Sequence, residues 1–103
     1  MHLRDLLLKL RASWNWDAKR YPKFNHSDST SPRRHVLLHV MKAAGSLAGH
    51  HEGYDHGKPF GSDDYVDTSI KLLIDALQLV SLCNLSEDEI LRRMDVILKQ
   101  ANE

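Results

Sequence analysis

The residues best suited to chemistry cluster in the middle of the chain. Five of its seven histidines fall between positions 35 and 56, interleaved with Lys42, Ser46, Glu52 and Asp55. With about 100° of rotation per helical residue, His35, His39, Lys42, Ser46 and His50 share one narrow sector of a helix. Four of those five side chains can carry positive charge. Further on, Asp64, Asp67, Lys71, Asp75 and Gln78 form a second polar sector at the same spacing. If two such helices run antiparallel, residues whose numbers sum to roughly 114 lie level. His50 then meets Asp64, Ser46 meets Asp67, Lys42 meets Lys71, and His39 meets Asp75. A polar cleft between two helices is one outcome, and simple surface ion pairing is the other.

The preceding Arg33, Arg34 and His35 stand where a helix begins. Positive charge is disfavoured there by about 0.3–1 kcal/mol each, unless an anion such as phosphate is bound. His35 and His39 are also one helical turn apart, a spacing at which two imidazoles can chelate a metal. The zinc-protease pattern is absent, because His56 follows His51 by five residues where four are required. There is no His-Asp dipeptide and no Gly-rich phosphate loop.

Four helices must position these groups. Leu3, Leu7, Leu10 and Trp14 make the stripe of a first helix, expected to stop near Tyr21 because Pro22 disfavours helix in the residue before it. Ser31 and Pro32 read as the N-cap and first position of a second helix, with Leu37, Val40, Met41, Ala44, Leu47 and Ala48 as its apolar face. Gly53, Gly57, Pro59 and Gly61 mark a connector. Ser62 with Asp63 and Asp64 opens a third helix, whose stripe Val66, Ile70, Leu73, Leu77 and Val80 makes it the most buried candidate. Asn84 and Leu85 break it, and Ser86 to Glu89 is a capping box for a fourth helix with Ile90, Met94, Ile97 and Ala101 inward. The expectation is one all-α domain over residues 1–103, a four-helix antiparallel bundle.

Bulk properties narrow the classes. The chain has 103 residues, 42% of them apolar and 27% charged, ordinary for a globular domain. No apolar run is long enough to span a membrane, and the charged N-terminus reads as an amphipathic helix where a secretory signal would be uninterrupted. The single Cys83 leaves no intrachain disulfide, fits a reducing cytoplasm and is expected in the core. Formal net charge is zero. Yet residues 1–34 hold eight Lys/Arg against three Asp, and the remainder six against eleven acids, so the two halves are of opposite sign. The basic excess is too modest to indicate a nucleic-acid partner. Trp14, Trp16, Tyr21 and Phe24 are expected to plug the bundle or a dimer seam.

The stretch His39-Val40-Met41-Lys42-Ala43-Ala44-Gly45-Ser46-Leu47-Ala48 resembles a helix of MazG-like nucleoside triphosphate pyrophosphohydrolases. That helix carries two glutamates, two residues including a Gly, then a third Glu followed by Leu-Ala. Residues Lys71 to Leu79 resemble the family's second motif helix. The resemblance implies an all-α fold, a homodimer or higher homo-oligomer, and nucleotide hydrolysis with Mg²⁺ held by acids. Aligned on Gly45, however, the three glutamates are Lys42, Ala43 and Ser46, and, aligned on the leucine run, the second motif's Glu and Asp are Thr68 and Lys71. Lysines in those places repel Mg²⁺ and attract phosphate directly.

The expected function is therefore binding of a nucleotide or other phosphorylated small molecule between helices two and three, through Arg33, Arg34, His35, His39, Lys42, Lys71 and Asp75. Pyrophosphohydrolase activity is not supported by the residues. In a variant of this reading, Glu52, Asp55, Asp64 and Asp67 hold Mg²⁺ or Mn²⁺ at the connector end. The alternative is a non-enzymatic module that dimerises through helices one and three or recruits a partner. There the small residues Ala43, Ala44, Gly45, Ala48 and Gly49 permit a close helix crossing.

Overall fold

A computed structural model of the chain describes residues 2–13, 16, 19–23 and 30–102. Among the described residues there are four helices and no strand: α1 (Leu3–Ser13), α2 (Thr30–Asp55), α3 (Ser62–Ser81) and α4 (Glu87–Ala101). None is long and apolar enough to cross a membrane. The longest, α2 and α3, form an antiparallel pair that makes most of the tertiary contact, and α1 packs on α3.

α1 ends at Ser13, earlier than the residue before Pro22. Trp16 and Tyr21 already stand outside helix, so α1 stops short of the residue before Pro22; residues 14, 15, 17 and 18 lie outside the described residues. Leu7 and Leu10 of its stripe are buried; Trp14 and Phe24 lie outside the described residues. α2 begins at Thr30, which places Ser31 and Pro32 inside the first turn, where a missing proline N–H still costs nothing.

α2 closes with a Schellman motif. Lys58 N–H donates to Gly53 O and Gly57 N–H to Tyr54 O, both at 2.9 Å. Gly57 takes φ of 85°, a left-handed conformation that glycine adopts without penalty. α3 starts one residue earlier than its serine suggests. Gly61 is the N-cap, its carbonyl accepting from Tyr65 N–H, and no side chain caps the helix. Asn84, at φ 58°, turns the chain out of α3. Ser86 caps α4 by accepting from Glu89 N–H at 3.2 Å. The return half of the capping box is absent because the Glu89 carboxylate is taken by Arg92 and Arg93.

The burial pattern reverses one expectation. On α3 the expected core residues Val66, Ile70 and Leu73 are 53%, 50% and 58% exposed, while Asp75 and Gln78 are only 2% and 1% exposed. α3 therefore turns Asp75 and Gln78 inward and the first three residues of its apolar stripe outward, while Leu77 and Val80 of that stripe are half-buried. α2 does the same: Leu37, Leu38 and Met41 are exposed, with Val36 and Ala43 inside. α4 buries Ile90 but exposes Leu91, Met94, Val96, Ile97 and Leu98. Cys83 is exposed too, contrary to its expected place in the core. Gly45 and Gly49 face open space, so they do not serve a close crossing within the chain.

Candidate functional site

The register read from the sequence holds where the structure tests it by contact. His50 Nε2 lies 2.9 Å from Asp64 Oδ2, which fixes α2 and α3 antiparallel. A cluster of rings locks this end: Phe60 packs on His50, His51, Tyr54 and Tyr65 with centroids 5.0–6.1 Å apart. His51 Nε2 also lies 3.0 Å from Tyr65 Oη. The connector is thereby pinned, and the two polar sectors are held face to face along the helices.

Midway along that seam is a cavity of about 160 Å³ lined by His39, Lys42, Ala43, Ser46, Thr68 and Lys71. It brings Lys42 and Lys71 to one place, as the register requires. Neither lysine is engaged in an ion pair with a described residue. Ser46 is shared with a second, more open cavity of about 270 Å³ towards the connector, bordered by Gly49, His50, Gly53, Lys58 and Pro59. Two lysines, one imidazole and two hydroxyls can all donate to phosphate oxygens, and there is no carboxylate in the lining.

Asp75 sits one turn beyond Lys71 on α3. It is buried, and its Oδ2 has no hydrogen-bond partner. His35 and His39 form a contact pair one turn towards the N-terminus of α2, with Nε2 atoms 3.1 Å apart. Tyr21 and Trp16 pack edge-on against His35 at 5.1 and 6.1 Å. Burial, the neighbouring His39 and then Arg34 hold the His35 pKa below its ordinary value.

Arg33 and Arg34 are placed apart from this cavity. They are exposed in the first turns of α2, about 12 Å along the axis from Lys42 at 1.5 Å per residue. The acids Glu52, Asp55, Asp64 and Asp67 do not form a cluster: among the described residues no three His, Cys, Asp or Glu side chains are gathered in one place. Asp64 is engaged by His50 instead.

No protein-family model, curated protein or solved structure matches the chain. The functional reading therefore rests on the geometry.

Sequence reasoning missed Thr68 as a lining residue and Lys58 as the cation of the open cavity. Thr68 was visible only as a substitution at an acidic motif position, and Lys58 lay in a connector whose path depends on the Schellman turn. Phe60 and Tyr65 were also overlooked, although Phe60 and Tyr54 fall level under the same register.

Proposed function

We propose that the protein binds a phosphorylated small molecule, a nucleotide in the leading version, in the cleft between α2 and α3. The observation that carries this reading is the convergence of Lys42 and Lys71 on one cavity with His39, Ser46 and Thr68. Its volume suits a phosphate or pyrophosphate group, since pockets for whole drug-sized ligands are about 300–1,000 Å³. The rest of the ligand extends past Ser46 into the open cavity beside His50 and Lys58. The reading is of a cytoplasmic, MazG-like protein in which cations stand where the resemblance puts metal-binding acids. Lys42 and Lys71 contact the phosphate oxygens directly, and hydrolysis is not part of the proposal.

Thermal unfolding against nucleoside triphosphates, monophosphates and pyrophosphate, each with and without Mg²⁺ or Mn²⁺, tests it. Ligand at about 100 times its dissociation constant adds roughly 2.7 kcal/mol, on the order of 10 °C for a domain of this size. A metal-independent rise is expected, and it disappears in a Lys42→Ala, Lys71→Ala variant. A rise that requires metal points back to pyrophosphohydrolase chemistry, and no rise with any ligand rejects the reading.

A specific observation also favours self-association. The accessible surface is 7824 Å², whereas a folded monomer of 11.8 kDa exposes about 5,900 Å². The radius of gyration, 16.5 Å, likewise exceeds the roughly 13 Å of a compact chain of this length. We read the outward apolar stripes of α2, α3 and α4 as the surface that a second copy covers. The phosphate-binding unit is then a homodimer or higher homo-oligomer.

A further inference from the structure

The pair His35 and His39 is not absorbed by the phosphate reading, since only His39 lines the lysine cavity. The two rings are one turn apart on a 26-residue helix, so their backbone is set before any ligand arrives. Their centroids are 4.8 Å apart and their planes 51° apart, with both Nε2 atoms turned to one another at 3.1 Å. Zinc–nitrogen bonds of about 2.0–2.1 Å meeting at a tetrahedral angle place two nitrogens about 3.3–3.4 Å apart. The observed pair needs to open by only a few tenths of an ångström to hold one ion.

We propose that His35 and His39 chelate a single divalent transition metal ion, Zn²⁺, Ni²⁺ or Cu²⁺, through their Nε2 atoms. Two neutral imidazoles are ligands that these borderline ions favour over Mg²⁺ or Ca²⁺. In the metal-free pair one Nε2–H donates to the other Nε2. On binding, that proton moves through solvent to Nδ1 of the same ring, both Nε2 lone pairs go to the metal, and neutral rings release no proton. Water completes the coordination, because no third His, Cys, Asp or Glu among the described residues joins the pair.

Two features hold the site. Tyr21 and Trp16 pack edge-on against His35, limiting the ring's rotation. Across the seam, the register set by His50 and Asp64 puts Asp75 level with His39, and its buried carboxylate has an oxygen with no partner. A carboxylate at that level of the seam adds negative potential that favours a dication there, without entering its coordination shell. Arg34 and Lys42 oppose it, but both are exposed and screened by water.

The site rests on the geometry of the His35–His39 pair, shares only His39 with the lysine cavity, and its test uses no phosphate. Untagged full-length protein is titrated with Zn²⁺ and with Ni²⁺ by calorimetry, beside His35→Gln, His39→Gln and His51→Ala variants checked for helicity by circular dichroism. One equivalent per chain is expected. It weakens at least tenfold in either glutamine variant, since loss of outer-shell partners alone already costs about 10–100-fold, and it is unchanged in His51→Ala. Cu²⁺ loaded on the wild-type protein should give an electron paramagnetic resonance spectrum with two coordinated imidazole nitrogens, a readout that holds even if a variant fails to fold. Binding equal in wild type and both glutamine variants, or a one-nitrogen copper spectrum, overturns the proposal.

Discussion

Replacing Leu73 with Asp separates a chain that works alone from one that is completed by a copy of itself. Leu73 is 58% exposed on the outer face of α3. In a monomer, such a surface change stays within about ±0.5 kcal/mol. In a homodimer the consequence is larger. Fully burying a leucine is worth about 1.5–3 kcal/mol, so covering the exposed half contributes on the order of 1 kcal/mol. A two-fold axis counts it twice, and each aspartate then meets an apolar surface without a partner, at about 1–3 kcal/mol or more. The total exceeds about 3 kcal/mol, which is more than a 100-fold increase in the dimer dissociation constant. Sedimentation equilibrium over a concentration series reads this directly. Wild type should weigh at least twice the 11.8 kDa chain, and Leu73→Asp should shift towards one chain with its helicity retained. A monomeric wild type at 100 times the working concentration, or an assembly untouched by Leu73→Asp, refutes the reasoning.

Other outcomes follow from the local structure. Ser86→Ala removes the cap of α4 and should cost about 1 kcal/mol in chemical denaturation. Gly45 meets nothing within 4 Å at its missing Cβ. Gly45→Ala should therefore add about 0.5–1 kcal/mol through helix propensity, seen as a higher denaturation midpoint, and a loss instead places Gly45 against a second copy. Hydrogen bonds first from Arg92 and then from Arg93 lower the Glu89 pKa to about 2. The unfolded chain binds that proton more readily, so this contribution is full above about 4.5 and fades as pH falls towards 2; Glu89→Gln should flatten the acid limb of a stability–pH curve. His35 is lowered as well, so its charged form is disfavoured on folding, and stability should rise with pH up to its ordinary value of 6.5. His35→Gln should remove that slope.

The helices were legible because their ends carry local chemistry. Ser86 capped α4 as read, and Asn84 ended α3 through a left-handed φ. The α2–α3 register was legible too, because a short connector leaves antiparallel packing and one numerical sum, which His50 and Asp64 satisfy. What could not be read was which face of each helix turns inward. An apolar stripe states that a surface is to be covered, not by what. On α3 the stripe Val66, Ile70, Leu73, Leu77 and Val80 reads as the chain's own core, whereas the fully buried residues of the helix are Asp75, Gln78 and Ser81 and the first three of the stripe are exposed. The same ambiguity misplaced Cys83. Arg33 and Arg34 show another limit: sharing a helix with Lys42 does not bring them to its cavity, because two turns separate them along the axis.

The central claim is that Lys42 and Lys71 hold phosphate. The most direct measurement is calorimetric titration of pyrophosphate and of a nucleoside triphosphate, without metal, into wild type and the Lys42→Ala, Lys71→Ala variant. Two charge-assisted hydrogen bonds at about 1.5–3 kcal/mol each imply at least a 100-fold loss of affinity in the variant. Saturable binding to wild type with that loss supports the account; no binding to wild type, or equal binding to both proteins, contradicts it.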